Sequence, residues 1–383
     1  MQAQLTQPFS TTVVGSFSRP RELIEATKKR SAGEISQEEL DALLEKATED
    51  TIRGQEAAGL DVITDGEQRR SSFVSFVGDK IPGFKVMHIT ELNPDAMEIL
   101  KRNKVQLTYA RAVVAEELRD SVIAADEFEK ARKYSKKPFK VTLPAPYLVM
   151  WESWQKKLSK EAYPTPEDFA YAYAKLLRKE VLRLKEAGAS FIQVDEPMLG
   201  DLTEAGEKPD RYRRVFRELY GQEYRGFKEE LKLAVDLLNA VIGGVGGVRI
   251  GVHMDRWPNK DSPYFDLGYE RFLPELLETK TKQFVLEYTT PGTGDPAKLV
   301  REFPKDMEIG FGCISVQNYE VEAPEQVVAR VKRITGVVEP ERIWLNPDCG
   351  FAPGMYRTFP REVAFAKLRS MTKAAEILRE AYS

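Results

Sequence analysis

Arg249-Ile-Gly-Val-His-Met-Asp255 is an apolar run that breaks into a polar loop at one of only two histidines in the 383-residue chain. A short apolar segment following the glycine-rich stretch 243–247 reads as a buried strand. Because a strand alternates its side chains, His253 and Asp255 fall two residues apart on one side of its carboxyl end. Such a pair can hold a metal ion; it can equally be a helix-capping loop with a hydrogen-bonded histidine. The other strand ends have to decide between the two.

Seven further runs have the same character: 11–17, 61–65, 139–143, 191–194, 283–286, 309–316 and 343–345. Stretches with helical spacing lie between them, at 22–29, 37–59, 166–187, 225–241, 324–334 and 360–381. Thr165 is a natural cap for the third of these, with Pro166 in its first turn and Gly188 after its last. Strand and helix in alternation predict a parallel sheet with crossover helices, and eight such units predict an α/β (β/α)8 TIM barrel. Residues 71–138 break the pattern, with helical stretches at 94–100 and 121–134 and an extended piece at 104–110. They are expected to be an insertion between strands two and three of a single domain spanning 1–383.

In a barrel of this kind the carboxyl ends of all strands converge on one face, where chemistry is done. Ser16, Glu67, Asp195, His253, Asp255, Glu287 and Cys349 all fall at those ends. Strands must end in polar loops anyway, so any one acid there is unremarkable; a histidine, a cysteine and several carboxylates together are less so.

The chain carries 57 Lys and Arg against 60 Asp and Glu, for a formal charge of -3 with both signs interspersed. Nothing in that balance argues for nucleic acid or an anionic membrane as partner, and small molecules are the expected ligands. No run reaches the roughly 18 apolar residues of a membrane span, and residues 1–10 lack the pattern of an export signal, so a cytoplasmic location is expected. Two cysteines, Cys313 and Cys349, are too few for a disulfide framework.

Six segments, in order, carry a family resemblance: Thr11-Thr-Val-Val-Gly-Ser-Phe17, Asp65-Gly-Glu67, Gln193-Val-Asp-Glu-Pro197, His253-Met-Asp255, Glu287 and Asn346-Pro-Asp-Cys-Gly350. Together they resemble the catalytic C-terminal barrel of the cobalamin-independent methionine synthase family, nearly end to end. The resemblance implies a zinc enzyme that binds a thiol, lowers its pKa and lets the thiolate attack an alkyl carbon. The family's ligand pattern maps onto His253, Glu287 and Cys349, while the cysteine of its His-x-Cys is Asp255 here. Zinc accepts carboxylate oxygen, but with one thiolate fewer the site is harder, and manganese and iron become competitors. The implied amino-acid pocket is Ser16, Glu67 and Asp195. Two carboxylates suit an α-amino group, which favours homocysteine over coenzyme M, whose sulfonate would want cations. Glu67 can instead pair with Arg69 or Arg70, and Asp195 can cap a helix.

The methyl-donor side is less defined. Where the family's folate users have a histidine in the strand-seven loop, this chain offers Ser315, and Trp151, Trp154 and Tyr147 read either as a pterin platform or as core. Cys313 reads as packing and His88 as a surface or loop residue. The expected function is methyl transfer to a metal-activated thiol, with a folate or a corrinoid protein as donor. The alternatives are another carbon–sulfur alkyl transferase or lyase, with Asp255 marking the change, and a non-catalytic amino-acid binder.

Overall fold

The computed structural model describes residues 7–105, 110–200, 202, 211–255, 268–290, 292–352 and 359–382. The strands among them are β1 (Ser10–Thr11), β2 (Phe84–His88), β3 (Ala110–Val114), β4 (Lys140–Pro144), β5 (Phe191–Asp195), β6 (Arg249–Met254), β7 (Gln283–Leu286), β8 (Glu308–Ile314) and β9 (Ile343–Pro347). Seven form one sheet in the order β1-β9-β8-β7-β6-β5-β4, every pair parallel. Consecutive neighbours joined by crossovers are what the alternating sequence pattern predicts, and this sheet is barrel-like.

The first two predicted strands need correction. Among the described residues, ladder pairing near the amino terminus is confined to Ser10–Thr11, and 61–65 contributes a single parallel bridge from Ile63 to Phe139. Beyond the Thr12 amide, which still donates to the Leu345 carbonyl of β9, the backbone of 13–17 gives its polar groups elsewhere: the Val14 carbonyl accepts from Gln193 Nε2, the Gly15 carbonyl from the Thr64 hydroxyl, and the Phe17 amide donates to Gly66. Apolar content signalled burial there, but side chains and turns satisfy the backbone in place of a neighbouring strand. Residues 61–63 nonetheless lie between the two edges of the sheet. The Asp61 and Val62 amides donate to the Thr11 carbonyl, and Lys140 N donates to Ile63 O at 2.8 Å.

The helices follow their sequence signals closely. Pro166–Ala187 starts with a reciprocal capping box between Thr165 and Asp168, and Gln37–Ala57 with one between Ser36 and Glu39. A helix at Arg211–Tyr220, which the sequence pattern above did not single out, buries Val215, Phe216, Leu219 and Tyr220. The described part of the connection between β6 and β7 holds two 3-10 turns, Tyr269–Phe272 and Glu275–Glu278.

Residues 71–138 hold short helices at Phe76–Lys80, Ile89–Leu92, Ala96–Asn103 and Ala125–Ala131, and the antiparallel hairpin of β2 and β3. The hairpin corrects the reading of 104–110 as a lone extended piece; part of that stretch lies outside the described residues. Strand β2 escaped notice because its burial does not alternate cleanly, with Lys85, Val86 and His88 all exposed.

Alternation along the sheet strands separates two cores. Ile192, Val194, Ile250, Val252, Phe284, Leu286, Phe311 and Leu345 join the large cluster that includes the helices. The alternate positions Phe191, Val285 and Trp344 form a second cluster with Val14 and Val62, made of strand-side residues alone. That second face of the sheet also carries Gln193, Asp195 and His253, and it leads to the site.

Candidate functional site

Register brings the first residues together. Asp195 at the end of β5 is the cross-strand partner of His253 on β6, and His253 is the partner of Val285 on β7. His253 Nδ1 lies 2.9 Å from the Val285 carbonyl oxygen. A carbonyl only accepts, so Nδ1 carries the hydrogen and Nε2 keeps its lone pair. Burial pushes the imidazole pKa down, against the pull of Asp255, which favours this neutral form.

Among the described residues, Nε2 of His253 is buried with no hydrogen-bond partner, and so is Oδ1 of Asp255. The Cys349 thiol donates to Asp255 Oδ2 at 3.0 Å. One ligand atom from each of His253, Asp255 and Cys349 lies within 4.8 Å of the other two. Burial pushes the Cys349 thiol well up, and the Asp255 and Glu287 carboxylates push it further, so without a cation the proton stays on sulfur. Two orphaned buried acceptors facing a thiol are costly to leave unmatched and fit a soft-to-borderline cation; zinc accepts all three donor types.

Glu287 follows β7 and is buried, but it is not one of the three mutually close donors. Its Oε1 accepts from the Thr290 hydroxyl. Sequence reasoning gave Asp348 no role, although it stands inside the quoted Asn-Pro-Asp-Cys-Gly segment. Its Oδ1 accepts from the Tyr288 and Thr289 amides at 2.9 and 3.1 Å, and its Oδ2 from the Thr289 hydroxyl. Asp348 thereby ties the turn carrying Glu287 to the turn carrying Cys349.

The other end of the site is built from the expected amino-acid residues. Ser16 packs directly on Gly350, where a β-carbon would collide with its hydroxyl, so the first turn of the chain abuts the residue after Cys349. Glu67 is 3 % exposed and is held in the left-handed backbone region at φ 55°. Its Oε1 accepts from the Thr142 hydroxyl at 2.6 Å. Arg70 lies 3.6 Å from it, so the pairing left open in the sequence is present, though as a longer contact. Among the described residues Asp195 bonds to a side chain and not to a helix amide: its Oδ1 accepts from Gln193 Nε2 at 2.6 Å, and Lys140 Nζ donates to the Gln193 oxygen at 2.7 Å. Burial and the neighbouring Glu67 push the Asp195 carboxyl up, while Lys140, itself pushed down by burial, opposes that rise. Lys140 and Thr142 were missed because residues inside a strand read as structural. Their only signal was polarity at alternate positions of an otherwise apolar run.

Several open readings close as packing. Trp151 and Tyr147 are fully buried, and Trp154 nearly so, with its indole donating to the Tyr163 carbonyl. They are core, not a platform. Cys313 is buried in β8 with its sulfur 3.6 Å from Asn346 O, and His88 is exposed at the end of β2. Ser315 is buried beyond β8, and its oxygen accepts from the Gln317 amide. No described helix is long and apolar enough to cross a membrane.

Residues 9–215 and 289–377 match the family model of the catalytic domain of cobalamin-independent synthases. The chain belongs to this family. A methionine synthase of Sulfurisphaera tokodaii is 30% identical over 371 residues, covering 97% of this chain and 92% of that protein. One from Thermococcus kodakarensis is 29% identical over 372 residues, covering 96% and 93%. Among solved structures, a B12-independent methionine synthase from Shewanella sp. W3-18-1 in complex with selenomethionine superposes with a TM-score of 0.73 at 20% identity, over 98% of this chain and 99% of that one. By membership the chain is a methyltransferase of the methionine synthase type. The stretch between the two matched segments, 216–288, contains β6, β7, His253, Asp255 and Glu287.

Proposed function

We propose that the protein transfers a methyl group to the sulfur of homocysteine, giving methionine, in a site where His253, Asp255, Glu287 and Cys349 hold a metal ion and Ser16, Glu67 and Asp195 hold the amino acid. The observation that carries this reading is the convergence of three donor atoms within 4.8 Å, two of their residues having buried atoms with no partner. Zinc is the first choice for this set, with manganese and iron as competitors because Asp255 hardens it. A bound divalent cation supplies the Lewis acidity that keeps a substrate thiol as thiolate at neutral pH.

The chain's own residues do the rest. Val285 fixes the tautomer of His253, and Asp348 holds Glu287 near Cys349. Glu67 and Asp195 present two buried carboxylates to an α-ammonium group, and the Gly15-Ser16 turn offers a hydroxyl and amides to the α-carboxylate. Sulfur and methyl carbon then need only be held in line. In the same reading, 61–63 is the eighth stave closing a (β/α)8 barrel, the chain is one domain, and 71–138 is an insertion in it.

The donor is a folate or a corrinoid protein, and an assay with homocysteine and either methyltetrahydrofolate or methylcobalamin separates them. If protein carrying one zinc per chain forms no methionine with either donor supplied in turn, methyl transfer from these donors is overturned. A second reading, another carbon–sulfur reaction on a thiol amino acid, is favoured by Asp255 standing where the resembled pattern has cysteine. Less than about half an equivalent of tightly held metal after purification would instead leave an amino-acid binder.

A further inference from the structure

Glu67 is a buried carboxylate whose orientation is set by a chain of hydrogen bonds that begins in the segment 71–138. Glu127, on the helix Ala125–Ala131, accepts from Arg70 Nε at 3.0 Å. Arg70 Nη1 donates to the Thr142 hydroxyl oxygen at 3.0 Å, and Arg70 Nη2 donates to the Thr142 carbonyl at 2.9 Å. Phe76, from the same segment, lies under the guanidinium with its ring centre 4.5 Å away. All four polar residues of the chain, Glu127, Arg70, Thr142 and Glu67, are at most 3 % exposed.

The polarity of this chain has only one solution. A guanidinium cannot accept and a carboxylate cannot donate. The Thr142 hydroxyl, with Arg70 donating into its lone pair, must spend its single hydrogen on Glu67 Oε1, which lies 2.6 Å away. Among the described residues Oε2 of Glu67 takes no donor, which leaves that oxygen for a ligand. The threonine is also fixed in space: a β-carbon on Gly15 would lie 2.6 Å from both its Cγ2 and Glu67 Oε1. The pair therefore fits against bare backbone beside Ser16.

We propose that Thr142 is a positioning residue for Glu67, aiming its free oxygen at the α-ammonium group of the substrate under the direction of the Glu127–Arg70 pair. This rests on the reading above that Glu67 binds the amino group. Without the hydroxyl, the nearest cation to Oε1 is Arg70 at 3.6 Å, and the carboxylate turns toward it and away from the pocket.

The test is calorimetric titration of the zinc-loaded full-length protein with homocysteine, with zinc content measured beside it. Thr142→Val is nearly isosteric, and Thr142→Ala serves where valine prevents folding. Either should weaken homocysteine binding by roughly tenfold or more, the loss expected for a hydrogen bond to a charged group, with zinc per chain unchanged. Thr142→Ser, which keeps the hydroxyl and discards the methyl, should recover most of the affinity; a purely packing role would not favour serine over valine. Glu67→Gln tests the underlying reading separately. If it weakens binding while Thr142→Val and Thr142→Ala stay within about twofold of the parent, Thr142 does not position Glu67. If Glu67→Gln itself leaves affinity unchanged, the amino-acid pocket is wrongly assigned and the proposal goes with it.

Discussion

The two ends of the site differ in how their polar atoms are matched. At the amino-acid end, Glu67 and Asp195 each receive a directed donor, from Thr142 and Gln193, and those donors are themselves oriented by buried cations, Arg70 and Lys140. At the proposed metal end, His253 Nε2 and Asp255 Oδ1 are buried with no partner among the described residues, and the Cys349 thiol donates to the Asp255 carboxylate. The first arrangement is oriented before any ligand arrives. On the proposed reading the second becomes favourable when a cation takes the place of the proton, so that its cost would be carried in the metal-free protein and recovered on loading.

The sharpest way to break this contrast is Cys349→Ser. A serine hydroxyl is a far poorer ligand than thiolate, so zinc per chain should fall from near one to below about a tenth and methyl transfer should drop by roughly a thousandfold. Elemental analysis of the purified variant decides it. Cys313→Ser, at a sulfur inside β8, should leave zinc content alone. If Cys349→Ser retained its metal, the orphaned atoms would need another explanation.

At the opposite end, Glu127→Ala asks whether this prior orientation has an energetic basis. It leaves Arg70 buried with its main charge partner gone, although Lys80 also loses a contact to the same carboxylate. Removing one member of a buried pair costs about 3–5 kcal/mol, which a urea titration would read as a lower midpoint at unchanged slope. A loss under about 1 kcal/mol would mean that the amino-acid end is ordered by packing alone.

Gly15→Ala is milder and more local. The added β-carbon meets Glu67 Oε1 and Thr142 Cγ2 at 2.6 Å, so both must shift by several tenths of an ångström. The KM for homocysteine should rise about tenfold while zinc content holds, because only the amino-acid end is disturbed. Equal losses of zinc and of homocysteine affinity would show that the two ends are one mechanical unit.

Much of this was legible in sequence because strand ends announce themselves. An apolar run that stops at His253, Glu287 or Cys349 places each residue at the mouth of the sheet, and the parallel order does the assembling. What stayed hidden sits inside the runs or between them. Lys140 and Thr142 occupy alternate positions of β4, and nothing in a single sequence says that the polar face of a buried strand looks toward a site. Asp348 acts through backbone amides of a turn 60 residues away in sequence, a partnership invisible without coordinates. The first strand was overread for the reverse reason: 13–17 is largely buried, yet its backbone is matched by the Gln193 and Thr64 side chains and the Gly66 turn rather than by a neighbouring strand.

The smallest and most discriminating effect concerns Asp255. Replacing it by cysteine exchanges a hard anionic oxygen for a soft anionic sulfur and keeps the charge of the donor set. The side chain becomes shorter, but a zinc–sulfur bond of about 2.3 Å exceeds a zinc–oxygen bond of about 2.0–2.2 Å, so reach is largely restored. Asp255→Cys should therefore keep one zinc per chain. With more charge donated to the cation, a bound substrate sulfur should be more nucleophilic, and methyl transfer should rise by a few fold, under about 1.4 kcal/mol of barrier. Loss of zinc would remove Asp255 from the ligand set despite its contact with the Cys349 thiol. Zinc retained with methyl transfer reduced would place the carboxylate in the chemistry itself, and would turn the difference at this one position into evidence for a different carbon–sulfur reaction.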